Sequence, residues 1–228
     1  MTDSELLALI FGGEAHALRE ACAAWIASSR PFRLFLEENA GKIRKKARQA
    51  GDVETLRDVQ LEMDAAYRLL LADRRVALVY ERYLADKTRG PDFTVTYKGH
   101  LIFNVEVRRL RAPVAAGKLG EAVREKLRQM PPSAVNVLLV GADASESPDL
   151  DAPATMKRLI LRAEARQDDY FIERGYRDAR DFLRALQRLS GLLLRANWRD
   201  TSPSSPILWL NPHARHPLPA DVRKLLLR

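Results

Sequence analysis

The stretch RGPDFTVTYKGHLIFNVEVRRL, residues 89–110, decides the fold. Apolar and polar residues alternate in DFTVTY, residues 92–97, and again in LIFNVEVRRL, residues 101–110, as they do in half-buried strands. Only the three residues KGH separate the two segments, so the pattern predicts a β-hairpin.

The alternation also predicts how the two strands pair. Over residues 92–97 and 101–108 the odd-numbered residues are apolar, and the even-numbered residues are polar apart from Ile102. A slip of one residue would turn one apolar set out to water, so both sets must share a face. A three-residue loop with positive φ at Gly99 or a neighbour satisfies this requirement. It places Asp92 opposite Glu106.

Two opposed carboxylates destabilise a sheet, because their Cβ atoms lie about 5 Å apart. A divalent cation would offset the repulsion, since Mg²⁺ and Mn²⁺ prefer carboxylate oxygens. Arg108, two residues beyond Glu106 on the same face, could instead bridge both acids as a structural ion pair. The residues themselves leave both interpretations open.

The segments around the hairpin predict an α/β fold. Residues 54–73 carry a helical apolar stripe, residues 76–84 read as a strand, and residues 118–130 form a helix that two prolines stop. NVLLVGAD then reads as a buried strand. The resulting αβββαβ order is typical of a mixed sheet flanked by helices.

We divide the chain into an N-terminal helical layer (1–53), this α/β core (54–145) and a C-terminal helical extension with a Pro-rich tail (146–228), packed as one unit. In the extension the pattern predicts helices over residues 154–167 and 177–194, a strand-like ILWL and a short basic final helix over residues 221–228.

The amino-acid composition limits the classes of molecule that the protein is expected to bind. A formal charge of +8 favours polyanions, and nucleic acid, DNA above all, is the first candidate. Cys22 is the single cysteine, so intramolecular disulfides and cysteine-cluster metal sites are excluded and any metal would need oxygen ligands. No apolar run is long enough to span a bilayer, and the opening MTDSELLALIFGG is acidic where a signal peptide is basic. We therefore expect a soluble, cytoplasmic protein.

The quoted stretch resembles the PD-(D/E)XK nuclease motif, in which Pro-Asp opens one strand and Glu-x-Lys ends the next. Pro91 and Asp92 match the first half, and Glu106 and Val107 match the next two positions. The flanking elements, over about residues 54 to 140, are similar to the family's restriction-endonuclease-like core. The resemblance implies metal-dependent cleavage of phosphodiester bonds in nucleic acid, with Asp92 and Glu106 binding Mg²⁺ or Mn²⁺.

The resemblance also implies roles for neighbouring residues. Many members use an acid from the preceding helix, for which Glu62 is the best match. Arg108 occupies the motif's lysine position, where it can stabilise negative charge but cannot act as a base. Lys118 or Lys126, on the following helix, could supply the missing lysine.

Two further expectations remain. Because arginine replaces the motif's lysine at position 108, the alternative is a catalytically inactive protein that binds nucleic acid or serves as an assembly module. Many nucleases of the family act as dimers, so a homodimer is a second expectation. Basic residues expected to contact nucleic acid are Arg109, Arg111, Lys118, Lys45 and Lys46.

Overall fold

Four helices precede the sheet: α1 (Asp3–Phe11), α2 (Ala17–Ser28), α3 (Arg30–Gln49) and α4 (Val53–Ala72). The computed structural model describes residues 1–12, 17–81, 90–115, 117–143, 150–199 and 205–228. Ser29 caps α3 by accepting a hydrogen bond from the Phe32 amide, and Pro31 lies in the first turn. Pro31 therefore starts the longest of the predicted N-terminal helices, because proline fits a first turn without losing a hydrogen bond.

Six strands form one open mixed sheet in the order of the chain. They are β1 (Val76–Tyr80), β2 (Phe93–Tyr97), β3 (Leu101–Leu110), β4 (Asn136–Ala142), β5 (Gly191–Ala196) and β6 (Ile207–Leu210). The central pairs β3–β4 and β4–β5 are parallel, and the other three pairs are antiparallel. Residues 82–84 of the predicted first strand lie outside the described residues.

The predicted hairpin register is confirmed. Phe93 pairs with Val105 and Tyr97 with Leu101. Lys98 and Gly99 both have positive φ in the connecting turn. Because β3 has ten residues and β2 has five, β3 continues beyond the first residue of β2. That continuation carries Glu106, which pairs with Leu138 of the parallel neighbour β4.

Five more helices follow β3 among the described residues: α5 (Lys118–Leu127), α6 (Ala152–Glu164), α7 (Asp168–Ile172), α8 (Ala179–Leu186) and α9 (Ala220–Leu226). Apolar side chains of α1–α4 and α9 form one buried cluster with the odd-numbered residues of β3. Those of α5–α8 form a second cluster on the other face, with Leu138 and Val140 of β4. Both faces of the central sheet are therefore covered, as parallel pairing requires.

The predicted helix over residues 177–194 is wrong in its second half. It ends at Leu186, and Gly191–Ala196 is the strand β5. Leu192, Leu193 and Leu194 are all buried, which is typical of a strand covered on both faces, whereas a helix would expose one of them. The C-terminal extension is therefore not purely helical, since it adds β5 and β6 to the core sheet. The other helices predicted after the hairpin are present as α5, α6 and α9.

Within the described ranges, no helix is both long enough and apolar enough to cross a membrane.

Candidate active site

Asp92 and Glu106 lie side by side at the point where β2 begins and β3 runs on. The Asp92 amide donates to Glu106 Oε2 at 3.4 Å, and the Val107 amide donates to Asp92 Oδ2 at 2.8 Å. Asp92 and Glu106 are only 4% and 8% exposed. The main chain of each strand therefore holds the carboxylate that comes from the other.

Lys126 is the cation that contacts this pair. It projects from α5, and its Nζ lies 2.5 Å from Glu106 Oε1. Arg108 instead pairs with Glu125 at 3.1 Å, and both of these side chains are more than two-fifths exposed. Lys126, the alternative lysine on the following helix, thus forms the ion pair with Glu106 that one interpretation assigned to Arg108.

Glu62 lies in a second ion pair on the other side of the site. Its Oε2 accepts hydrogen bonds from Lys46 Nζ at 2.5 Å and from Tyr80 Oη at 2.8 Å. Lys46 also contacts Glu81 Oε1 at 2.9 Å. The side chain of Lys46 is only 19% exposed, so its predicted role as a surface contact for nucleic acid does not fit its position. Lys46 is a residue of the site interior.

Asp92 couples the two ion pairs electrostatically. Burial first and the negative charge of Asp92 second, opposed by Lys46, together raise the pKa of Glu62 to about 7. Burial likewise raises the pKa of Glu106, with Asp92 adding to the effect and Lys126 opposing it. The protein environment therefore disfavours the ionised form of both Glu62 and Glu106.

The charges of the site do not cancel. Four carboxylates, those of Glu62, Glu81, Asp92 and Glu106, face the ammonium groups of Lys46 and Lys126. Lys42 adds a third ammonium at the margin, where it binds the carbonyl oxygens of Tyr80 and Glu81. Negative charge is therefore in excess when all the acids are ionised.

The main chain is strained beside the pair. Glu81 follows β1 with φ 45, a left-handed conformation that is uncommon for residues other than glycine. Its amide donates to the Asp92 carbonyl at 2.9 Å. Strain of this kind is concentrated at functional sites, and here it sets the position of the Glu81 carboxylate beside Lys46.

The donors at the pair suit a hard divalent cation. Among the described residues, no three acidic, histidine or cysteine side chains are close enough together to form a metal-ligand set. Mg²⁺ commonly binds through one or two carboxylates and takes its other ligands from water and substrate phosphates. Asp92 and Glu106 would supply two carboxylates of that kind.

A groove of about 220 Å³, called the basic groove, extends from β3 toward the N-terminus of α5. Four basic residues and three acids, Asp58, Glu121 and Glu125, line it. Arg108, Arg111 and Lys118 line it with side chains that are about half exposed. Each of these side chains has one acidic partner at the surface, which a phosphate group can replace at little cost. The groove therefore offers exposed cations on the strand that carries Glu106.

Neither Arg109 nor Lys45, two more of the predicted nucleic-acid contacts, offers an exposed cation to this groove. The side chain of Arg109 is fully buried, where it binds Glu54, Asp58 and Asp143. Because side chains alternate along β3, Arg109 points to the sheet face opposite Arg108. There it connects β3 to α4 through ion pairs, and its guanidinium is not available to a polyanion. Lys45 is exposed, but it lies on α3, which covers the sheet face opposite α5.

Sequence reasoning missed Glu81, Tyr80 and the inward orientation of Lys46. Glu81 lay inside the predicted strand over residues 76–84, and nothing in the sequence marks the strand's end at Tyr80. Lys46 belongs to a dense basic run, in which periodicity does not distinguish one lysine from the next.

No protein-family model matches the chain, and neither do any curated protein sequences or solved structures.

Proposed function

We propose that the chain is a metal-dependent nuclease of the PD-(D/E)XK kind that hydrolyses phosphodiester bonds of nucleic acid. The elements α4, β1, β2, β3, α5 and β4 follow the αβββαβ order of that family's restriction-endonuclease-like core. The observation that carries the proposal is the buried Asp92–Glu106 pair with the Lys126 ammonium on it. It combines two carboxylates at the motif's acidic positions with a lysine that comes from the following helix.

Asp92 and Glu106 would hold Mg²⁺ or Mn²⁺, with Glu62 assisting from α4 through Asp92. The bound ion supplies positive charge against the phosphate and increases the acidity of water. The buried Glu106 carboxylate, whose ionised form is disfavoured by burial and by the charge of Asp92, gains from such a cation.

Lys126 takes the part of the motif's lysine in this proposal. Its ammonium is held beside Glu106, where it can donate a hydrogen bond to an attacking water molecule and stabilise charge that develops on the phosphate. Arg108 acts further out in the groove, where its guanidinium binds a phosphate oxygen in place of Glu125. In this proposal Lys126 therefore acts beside the attacking water, and Arg108 binds the phosphate farther out.

The basic groove would position the strand to be cut. Arg108, Arg111 and Lys118 provide phosphate contacts that carry no base specificity, and the excess of positive charge favours DNA or RNA in general. DNA remains the favoured partner, and a homodimer that cuts both strands remains a possibility within this proposal.

A second candidate is an inactive protein that keeps the core for binding nucleic acid. It is favoured by one observation: Lys126 and Lys46 already form ion pairs with Glu106 and Glu62. In this case the lysines replace the metal, and the protein binds nucleic acid in a salt-dependent manner without cleaving it.

Cleavage of plasmid, single-stranded DNA and RNA with Mn²⁺ tests the proposal. We expect Glu106→Gln and Lys126→Met to lower the rate by at least about a hundredfold. Lys224→Met serves as the matched control, because Lys224 is exposed on α9 on the other side of the sheet. It should cleave like the wild type.

The outcomes separate the two candidates. Activity that Glu106→Gln and Lys126→Met abolish, and Lys224→Met preserves, supports the nuclease. Equal activity in all four proteins indicates a contaminant and refutes the proposed site. Salt-sensitive binding without cleavage by any of them favours the inactive candidate.

A further inference from the structure

A second basic pocket lies between α5 and α6, away from the carboxylates. Its volume is about 390 Å³, large enough for a nucleotide. Three arginines line it, namely Arg124 from α5 and Arg158 and Arg162 from α6. Its one acidic lining residue within the described ranges, Glu121, is already paired with Lys118 and Arg174. Arg124 and Arg162 therefore bring to the pocket positive charge that this carboxylate does not neutralise.

Arg124 is buried at the base of this pocket. It is 3% exposed, and its Nη1 donates a hydrogen bond to the Tyr170 carbonyl. Its Nε is buried and has no hydrogen-bond partner among the described residues. A buried donor without a partner costs about 1 to 3 kcal/mol, so a site of this kind gains from an acceptor.

Two of the three arginines, Arg124 and Arg162, lie over the aromatic ring of Tyr170. The guanidinium of Arg124 lies 3.7 Å from the centroid of the Tyr170 ring, and that of Arg162 lies 4.4 Å from it. Arg158 donates to Thr155 Oγ1 at 3.1 Å on the same helix. Tyr170 thus gathers two guanidinium groups without neutralising them, since a cation–π contact leaves the charge and most donors in place.

The N-terminus of α5 adds backbone donors to the pocket. Gly117 caps this ten-residue helix with φ 82, and no side chain accepts a hydrogen bond from its first turn. Gly120, in that first turn, also lines the pocket. The Lys118 amide donates to the Ala115 carbonyl at 3.2 Å. The following amides, those of Leu119 and Gly120, and the helix dipole favour an anion here, and the buried arginine beside them makes the site more than a helix end.

We propose that this pocket binds a phosphate monoester, the doubly charged terminal phosphate of a nucleic-acid strand or of a free nucleotide. Two negative charges match the two guanidinium groups stacked on Tyr170 better than the single charge of a phosphodiester does. The inference is independent of the proposed hydrolysis, because it needs neither the carboxylates nor a metal. Glu121 lines both this pocket and the basic groove, so the two surfaces are continuous.

Binding measured without divalent cations tests the inference separately from cleavage. The probes are a 5′-phosphorylated and a 3′-phosphorylated oligonucleotide, the same oligonucleotide without a terminal phosphate, a nucleoside monophosphate and inorganic phosphate. We expect a terminal phosphate to tighten binding by about tenfold or more, the size of one charge-assisted hydrogen bond. Tight binding of the free monophosphate would identify a nucleotide ligand, whereas a preference for the oligonucleotide would identify a strand end.

Two variants place the site. Arg162→Gln and Arg158→Gln change side chains at the pocket's rim, so folding is not at risk as it is for buried Arg124. Arg48→Gln is the matched control, since Arg48 is exposed on α3 on the opposite face of the sheet. Loss of the terminal-phosphate preference in the two pocket variants alone supports the inference. Equal affinity with and without the phosphate, or equal losses in all three variants, overturns it.

Discussion

Replacing Glu62 with glutamine removes one buried negative charge from the candidate active site and keeps the shape of the side chain. The Glu62 side chain is 13% exposed, and burial together with Asp92 raises its pKa from 4.5 to about 7. One unit corresponds to about 1.4 kcal/mol, so the ionised acid costs the folded state about 3 kcal/mol. Glutamine resembles the neutral acid and should recover that energy.

The expected gain depends on pH with a definite sign. The pKa of Glu62 is higher in the folded state than in the unfolded chain, so its neutral form favours folding below about pH 4.5 and the benefit is lost as the pH rises to about 7. The glutamine variant keeps the neutral group at every pH. The stability difference should therefore be near zero at low pH and reach about 3 kcal/mol in favour of Glu62→Gln at about pH 8.

Lys46 keeps one ion-pair partner in this variant, because its Nζ still lies 2.9 Å from Glu81 Oε1. That contact makes a net gain credible, since leaving a buried ammonium unpaired would reverse the sign.

Urea unfolding of both proteins across this pH range, without divalent cations, measures the difference directly. Glu38→Gln, at an exposed position on α3, is the matched control and should show no pH-dependent change. A Glu62→Gln protein that is less stable than the wild type at about pH 8, or equally stabilised at every pH, would refute this account of the site.

Two further predictions concern the metal pair and the sheet. Mg²⁺ or Mn²⁺ should raise the melting temperature, since a ligand selective for the folded state stabilises it by about 3 kcal/mol at a hundredfold excess over Kd. Asp92→Ala should abolish the increase; an unchanged response in differential scanning fluorimetry would place the ion elsewhere. Gly141→Ala should destabilise the fold by about 1 to 3 kcal/mol, because the added Cβ would lie 2.7 Å from Leu61 and 3.1 Å from Trp198. Urea unfolding measures this cost, and a neutral result would show that α4 can move away from β4.

The hairpin was predictable because its alternation and its short loop together allow one register. A shift by one residue would expose Phe93 and Val95, and the three-residue loop then selects the pairing that places Asp92 opposite Glu106. The strand β5 was not predictable in this way. Its run of leucines continues the spacing of α8, and periodicity does not distinguish a buried strand from a buried helix.

The candidate site was predictable only where its residues share an element. Asp92 and Glu106 come from one hairpin, and local pairing brings them together. Lys46 and Lys126 reach the site from α3 and α5, on opposite faces of the sheet. Which lysine of a basic helix turns inward depends on how that helix packs, and this is a tertiary property that the sequence pattern does not carry.

The geometry of the core explains why the lysine beside Glu106 comes from helix α5 and not from strand β3. The proposed reaction needs an ammonium group beside Glu106, whichever element carries that group. Arg108 shares a face with Glu106, but its longer side chain extends to Glu125 at the surface. The connection from β3 through α5 to the parallel strand β4 lays α5 across that same face, so a lysine on its inner side is within reach. Lys126 occupies that position at 2.5 Å, which leaves Arg108 available to bind phosphate.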